Sequence, residues 1–264
     1  MPICFAVATT TLDELATILL PIPVMIAIDE VDIEYLLWER RRSMNADLQN
    51  AVLPTTSSAN EWVLPVVVLG DMVIMPRIQL QPLQGVRPGR SYQAIHAALE
   101  SNREMLVIFV AEHEIVSYKS SEPQPLPTVG VIARLEKVIA QPDGTLQIVL
   151  DVTTRATITA RVEHDPFYRA ICVPHPDPEV TSAEIPALMA AVKAQVELIA
   201  PRLPHLTPEQ LDWGLTFMNQ IDQPGQLADF VTYSPTFTFA DRIAILNTLD
   251  PLERLRLVQR TLGV

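Results

Sequence analysis

The sequence predicts an α+β protein in which a β-rich subdomain precedes an all-helical one. Residues 61–178 contain many short Val- and Ile-rich runs bounded by turn residues, a pattern typical of strands. Residues 179–264 carry apolar side chains at helical spacing, together with recognisable helix caps. Residues 1–60 fit neither pattern, and we interpret them as a leader and linker.

The composition is that of a folded globular protein. Of the 264 residues, 48% are hydrophobic and 19% are charged, which is too apolar for a disordered chain. Twenty-three prolines against eight glycines indicate stiff turns, short strands and sharply started helices. The length allows one large domain or two modest ones, and either can bury a core.

The charge excludes two classes of partner. The net charge is −12, and acidic residues outnumber basic ones in the leader, the β-rich part and the helical part alike. Binding to nucleic acid or to an anionic membrane requires a basic surface, so we expect neither as a partner. Two distant cysteines, Cys4 and Cys172, provide no disulfide framework and no structural zinc site, which favours a reducing, cytoplasmic location.

The leader changes character along its length. Residues 15–28, LATILLPIPVMIAI, are too few to span a bilayer and contain two prolines, so we expect a short buried or docking element. Residues 29–42, DEVDIEYLLWERRR, place acids before bases and fit an amphipathic helix. Residues 44–60 are small and polar and predict a linker, and Met44 is an alternative start of the protein.

The β-rich part predicts a barrel or coiled sheet, because it has many short strands and few long connections. The candidate strands are WVLPVVVL (62–69), DMVIMP (71–76), IQLQPL (78–83), EMLVIFVA (104–111), TVGVIARLEKVIA (128–140), TLQIVLDV (145–152), ATITARVE (156–163) and YRAICVPH (168–175). Between two of them, PDGT at 142–145 predicts a hairpin turn in which Gly144 takes a positive φ. One inserted helix is expected at 91–102, with Ser91 as its N-cap.

The helical part predicts one long helix at about 182–200 and four shorter ones after it. Side chains that accept backbone N–H groups, prolines at the first helical position and a terminal glycine mark the helix ends. The predicted caps are Thr207 with Gln210, Thr238 with Asp241, Asp250, and Gly263 at the C-terminal end. Together, these elements predict a small helical bundle.

The sequence contains none of the common catalytic motifs. A P-loop needs a Gly-Lys dipeptide, which is absent, and G-x-G-x-x-G, G-x-S-x-G and H-E-x-x-H are absent too. Cys172 and His175, with His164 nearby, could form a metal cluster or a Cys–His pair, but no fourth ligand is evident, so we favour a buried cysteine at a strand end. Lys119 adjoins Ser120, but a Ser–Lys nucleophile pair needs a lysine that is removed from water. In this loop water would keep Lys119 charged, so we do not predict such a pair. We predict no catalytic residue, no metal ligand and no cofactor.

Six segments, in order and at similar spacing, resemble the N-terminal domain of Lon-type ATP-dependent proteases. They are LPVVVLGDMVIMP (64–76), LVIFVAE (106–112), VGVIARLEKVIAQPDGTLQIVLDVTTRATI (129–158), DPFYRA (165–170), IDQPGQLADFVT (221–232) and TLDPLERLRLVQRTL (248–262). The resemblance covers about 61–264. It implies a PUA-like pseudo-barrel followed by a helical subdomain, in agreement with the division above.

The resemblance also implies a function. It indicates a stand-alone or truncated domain, without the ATPase and peptidase modules, that recognises unfolded or degron-bearing polypeptides for proteolysis or quality control. Partners would be those substrates and a Lon-type protease or a second copy of the chain. The alternative is an adaptor or structural module that docks on a full-length protease or another protein. An enzyme is the third hypothesis, and it has the least support from the motifs.

Two places on the β-rich part are candidate substrate contacts. Unfolded chains are recognised by their exposed apolar side chains, so the contact surface must be apolar and adaptable. The first candidate is the exit of the DMVIMP segment, where Met72 and Met75 would point to opposite faces of a strand. The second is the Pro-rich loop 117–128. The predicted contact residues are Met75, Pro76, Arg77, Tyr118, Pro125 and Leu126.

Overall fold

A ring of five strands is the centre of the structure. The computed structural model describes residues 60–77, 83–120, 122–163, 165–203 and 206–263. The predicted helix 29–42, the linker and most of the predicted strand 78–83 lie outside these residues. The strands are β1 (Trp62–Gly70), β2 (Leu83–Val86), β3 (Glu104–Val110), β4 (Val129–Ala140), β5 (Leu146–Glu163) and β6 (Arg169–His175).

The sheet has the order β2-β5-β4-β3-β1-β6, and a further pairing of β5 with β6 closes it. This closure depends on the 18-residue length of β5, whose first part pairs with β4 and whose last part pairs with β6. Within the ring, β1 and β3 run parallel and the other neighbouring pairs are antiparallel. The predicted pseudo-barrel is thereby confirmed.

Helices of the described residues fall into two groups. Two lie within the β-rich part, and the others follow it as one long helix and four shorter ones, as predicted. They are α1 (Arg90–Leu99), α2 (Glu112–Lys119), α3 (Ile185–Ile199), a 3₁₀ turn (Ala200–Arg202), α4 (Pro208–Gln220), α5 (Pro224–Val231), α6 (Phe239–Asn247) and α7 (Pro251–Leu262). The architecture is α+β.

The expectation of a single inserted helix was wrong, because α2 is a second one. The N–H of Ala111, the residue before α2, donates to the Glu114 carboxylate at 3.1 Å. This local cap was not identified from the sequence. None of the residues of α2 is fully buried, and only Ile115 and Tyr118 pack against a core cluster. The Ser91 cap was also wrong: α1 begins at Arg90, and the Ser91 hydroxyl accepts the N–H of Val68 at 3.1 Å.

The segment DMVIMP is not a strand. Asp71 and Arg77 have φ angles of 49° and 63°, in the left-handed region, so the extended backbone is interrupted at both ends. The Asp71 N–H donates to the Val110 carbonyl at 3.0 Å, and the Arg77 N–H donates to the Val152 carbonyl at 2.8 Å. Contacts distant in sequence therefore shape this segment.

The predicted caps of the helical part are confirmed. Hydrogen bonds between Thr207 and Gln210, and between Thr238 and Asp241, form two capping boxes. Asp250 accepts the first N–H groups of α7. Two glycines have the positive φ that was expected of them, 80° at Gly144 in the hairpin and 79° at Gly263 after α7.

Two apolar clusters lie on opposite faces of the sheet. On β1, Val66 and Val68 belong to a cluster to which every strand of the ring contributes, so this cluster fills the barrel interior. Val67 between them belongs to a larger cluster, in which the outer face of the sheet packs against α1 and the C-terminal helices. The β-rich and helical parts therefore share one core.

Candidate functional site

An apolar groove lies among the C-terminal helices. It encloses a cavity of about 180 Å³, and none of its described lining residues carries a charge. Helices α3, α4, α5 and α7 and the segments between them supply the lining, which includes Val196, Leu203, Leu206, Leu211, Trp213 and Phe230. Leu206 is 38% exposed, so the groove presents apolar surface to solvent.

Aromatic rings form part of the groove wall: Trp213 and Phe230 line it, and Phe217, which does not, contacts both of these rings. Trp213 and Phe217 are four residues apart on α4, which places them on one face of that helix. Their ring centroids are 5.4 Å apart with an interplanar angle of 9°, and Phe217 lies 5.2 Å from Phe230 of α5. Sequence reasoning did not identify this site, although the spacing of Trp213 and Phe217 was a readable signal.

Tyr233 links the groove to the segment that leaves β1. Its ring lines the groove, and its hydroxyl oxygen accepts the N–H of Met75 at 2.9 Å. Burial raises the pKa of Tyr233 well above its ordinary value, so the hydroxyl stays protonated over the whole physiological range. The groove wall is therefore fixed to the barrel by a neutral hydrogen bond.

A buried ionic network holds α5 in place behind the groove. Arg155 of β5 is bidentate to Asp229 of α5, with N–O distances of 2.6 and 2.9 Å. A second arginine, Arg254 of α7, places its Nε 3.3 Å from the same carboxylate and also pairs with Asp177 at 2.5 Å. Because Phe230 and Val231 follow Asp229 directly and line the groove, this network positions part of its wall.

The first group of predicted contact residues does not form one surface. Met75 is fully buried and Pro76 is buried as well, so neither side chain is available to a substrate at the surface. Arg77 is exposed and lines a separate polar cavity of about 390 Å³ with Asp177, Glu179 and neighbouring residues. Of this group, Arg77 alone presents its side chain to solvent.

The second group does come together, next to the cluster that fills the barrel. The Tyr118 hydroxyl donates to the Pro125 carbonyl at 2.5 Å, and its ring meets the edge of Tyr168 with centroids 5.8 Å apart. Leu126 packs beside Tyr118 against the interior cluster, whereas Pro125 is exposed. Burial, and secondarily the charge of Glu114, raise the pKa of Tyr118. Substrate binding by these residues stays a prediction.

Cys172 and His175 have separate environments. The Cys172 thiol lies in the barrel interior, where burial raises its pKa to about 11. His175 shares a 2.8 Å hydrogen bond with Thr157 through Nε2, and His164 lies outside the described residues. Across the part of the chain that the structure describes, no three potential metal ligands are grouped.

Comparison with known proteins identifies the family. The model of the family described as the ATP-dependent protease La (LON) substrate-binding domain matches residues 63–263. The chain belongs to this family. The family is a substrate-binding rather than a catalytic domain, and the barrel and the groove are thus parts of a Lon substrate-binding domain.

Lon proteases of two bacteria are similar to the chain. The Lon protease of Chloroflexus aggregans is 47% identical over 205 residues, and that of Chloroflexus aurantiacus is 32% identical over 208 residues. Each match covers 78% of this chain and 24% of the relative, so the chain spans about a quarter of the length of these proteases.

A solved structure supports the fold. The N-terminal domain of the Mycobacterium avium complex Lon protease superposes with a TM-score of 0.60 and 24% identity, covering 76% of this chain and 98% of that domain. The predicted resemblance and fold class are therefore confirmed. Among the described helices of this Lon domain, none has the length and apolar character needed to cross a membrane.

Proposed function

We propose that this Lon-type domain is a non-catalytic module that binds unfolded or degron-bearing polypeptides through the apolar groove of its helices. Its partners would be those substrates, together with a Lon-type protease or a second copy of the chain, in the cytoplasm. The observation that carries the proposal is a partly exposed groove with apolar and aromatic lining, in which none of the lining residues that the structure describes is charged.

The chemistry of the groove fits such a ligand. Unfolded chains differ from folded ones in the apolar side chains that they expose, and a charge-free groove selects for those side chains because a charged group would lose its hydration there. Flat rings such as that of Trp213 offer a large contact area with few rotatable bonds. Binding of this kind tolerates many sequences, as a protease substrate receptor requires.

Two exposed leucines provide a test. Leu206 lines the groove and is 38% exposed, whereas Leu198 is 54% exposed and does not line it. We expect Leu206→Asp to weaken binding of a reduced, carboxymethylated polypeptide about tenfold or more, since burying one leucine contributes roughly 1.5–3 kcal/mol. The matched variant Leu198→Asp should leave the affinity within about twofold.

Fluorescence anisotropy of the labelled polypeptide measures both affinities, and thermal unfolding verifies that both variants are folded. If the two variants bind with equal affinity, the groove is not where the polypeptide binds. No saturable binding by the unmodified chain would reject the substrate-binding function itself.

The residues predicted from the sequence are further proposed contacts, at two separate places on the β-rich part. Arg77 and Pro125 are their exposed members. If substrates also touch either place, Arg77→Glu or Pro125→Glu weakens binding in the same anisotropy assay while Leu198→Asp does not. Unchanged affinity in both variants would confine binding to the helices.

A further inference from the structure

Gly214 lies at the centre of the face that α4 turns to the groove. The residues of α4 that line the groove are Gln210, Leu211, Trp213, Gly214 and Leu215. Successive residues of a helix are about 100° apart around its axis, so Trp213 and Leu215 lie to either side of Gly214. Gln210 and Leu211 lie one turn earlier, on the same face as Gly214. A side chain at position 214 would therefore point into the groove.

The fold does not require glycine at this position. All eight glycines of the chain lie within the described residues, and seven of them have a structural reason. A positive φ angle is found at Gly85, Gly89, Gly144 and Gly263. An added Cβ would lie under 3.0 Å from another atom at Gly70, Gly130 and Gly225. Gly214 has neither feature, and no atom of the described residues lies within 4 Å of a Cβ placed on it.

Glycine at position 214 has a cost and one visible consequence. Within a helix, glycine disfavours folding about fivefold relative to alanine. Because no described neighbour fills the space above Gly214, and because Gly214 lines the groove, the missing side chain leaves open volume there. What the structure shows in return for the weaker helix is thus room for a ligand.

The size of this room suits one bulky apolar side chain. The cavity of the groove is about 180 Å³, and an apolar cavity of about 150 Å³ is large enough to bind benzene. The lining also includes the rings of Trp213, Phe230 and Tyr233, which offer apolar contact to such a group. A side chain at position 214 would take part of this volume, and a misfit of one methylene in an apolar pocket changes affinity by about tenfold or more.

We propose that Gly214 determines which side chains the groove accepts. Its missing side chain lets one bulky apolar side chain of a bound polypeptide, of the size of leucine or phenylalanine, rest on the backbone of α4. This inference rests on the proposed function, because it takes the groove as the place where the polypeptide binds. Gly214 acts through the space that it leaves, so a larger residue there discriminates against bulky side chains and not against small ones.

The experiment compares Gly214→Ala and Gly214→Leu in the full chain with the matched variants Thr216→Ala and Thr216→Leu. Thr216 is exposed, does not line the groove and lies about 200° from Gly214 around α4. Two labelled host peptides, rich in glycine and serine, carry either leucine or alanine at the same spaced positions. Fluorescence anisotropy measures the affinity of every form for both peptides and for a reduced, carboxymethylated polypeptide. Thermal unfolding verifies the fold, which Gly214→Ala should retain because alanine is the better helix former.

The unmodified chain should prefer the leucine peptide. Gly214→Ala should weaken binding of the leucine peptide about tenfold and that of the alanine peptide less than twofold, and Gly214→Leu should abolish the preference. Both Thr216 variants should bind as the unmodified chain does.

Three results would overturn the inference. If the Gly214 variants bind the leucine peptide as tightly as the Thr216 variants do, position 214 does not determine specificity, and the proposed function stands. The same holds if Gly214→Ala weakens binding of both peptides equally, or if the unmodified chain binds both equally, because the groove then does not select by size. If the unmodified chain binds neither the peptides nor the carboxymethylated polypeptide, the proposed function is rejected and this inference with it.

Discussion

At the scale of single residues, Arg155 of the barrel forms a buried ion pair with Asp229 of the helices. Its side chain is 1% exposed and that of Asp229 is 3% exposed. The Arg155 Nε also donates to the carbonyl of Leu246 at 3.1 Å. A buried ion pair compensates its desolvation only when such hydrogen bonds are complete, so loss of either partner leaves a costly unpaired charge.

The first prediction concerns Asp229. Replacing it with alanine leaves Arg155 and Arg254 without the carboxylate that both approach. We expect Asp229→Ala to lower the free energy of unfolding by about 3–5 kcal/mol, the usual effect of breaking a buried pair by removing one partner. Urea denaturation followed by circular dichroism measures the change.

An exposed ion pair provides the control for this prediction. Arg134 and Glu136 are 3.7 Å apart, and their side chains are 60% and 52% exposed. Because water and salt screen such a pair, Glu136→Ala should cost less than about 1 kcal/mol. If Asp229→Ala costs no more than Glu136→Ala, the network does not stabilise the junction.

At the scale of elements, the start of α5 shows why the motif IDQPGQLAD has its particular residues. Pro224 occupies the first turn, where its missing N–H is not needed. A Cβ atom on Gly225 would collide with the Asp177 carboxylate and the Arg254 guanidinium. Asp229, one turn later, accepts the bidentate contact from Arg155. The motif therefore encodes how closely α5 approaches its neighbours.

The second prediction compares two helical glycines. Gly225→Ala should lower the melting temperature, because its methyl group has no space beside the ion pair of Asp177 and Arg254. Gly214 of α4 has no atom within 4 Å of an added Cβ, so Gly214→Ala should stabilise the protein by about 0.5–1 kcal/mol through helix propensity. Differential scanning calorimetry of both variants measures the two effects, and changes of the same sign would contradict the packing argument.

Most elements whose ends depend on local interactions could be predicted from the sequence, although α2, with its local contact between Ala111 and Glu114, was missed. The capping boxes at Thr207 and Thr238 could be predicted, because the interacting groups are three residues apart. The segment DMVIMP could not be predicted, since the carbonyls of Val110 and Val152 that hold its ends are distant in sequence. Its alternating apolar residues matched a strand, but the positive φ angles at both ends depend on tertiary contacts.

The groove was missed for the same reason. Trp213 and Phe217 show helical spacing on α4, but the third ring, that of Phe230, belongs to another helix. A groove exists only where several helices leave space between them, and residue periodicity within one helix does not report that space. Similarly, Met75 was predicted to be near the surface, although its burial depends on packing against residues such as Tyr233 and Arg155.

At the scale of the whole molecule, the barrel and the helices share one core. We therefore expect them to unfold as one cooperative unit. The larger cluster contains strand residues such as Val107 and helix residues such as Leu255, both fully buried. The Arg155–Asp229 pair and the hydrogen bond from Met75 to Tyr233 cross the same boundary. Unfolding of either part would expose the apolar face of the other, which makes a half-folded state unfavourable.

The third prediction tests this cooperativity with two single-tryptophan forms. In one, Trp38→Phe and Trp213→Phe leave Trp62 at the start of β1 as the reporter of the barrel. In the other, Trp38→Phe and Trp62→Phe leave Trp213 of α4 as the reporter of the helices. Urea unfolding of each form is followed by fluorescence and by circular dichroism. In each form the two midpoints should agree within about 0.2 M, since both signals follow one transition. A fluorescence midpoint of Trp213 well below its circular dichroism midpoint would mean that the helices unfold from a stable barrel, and the shared core would then not couple them.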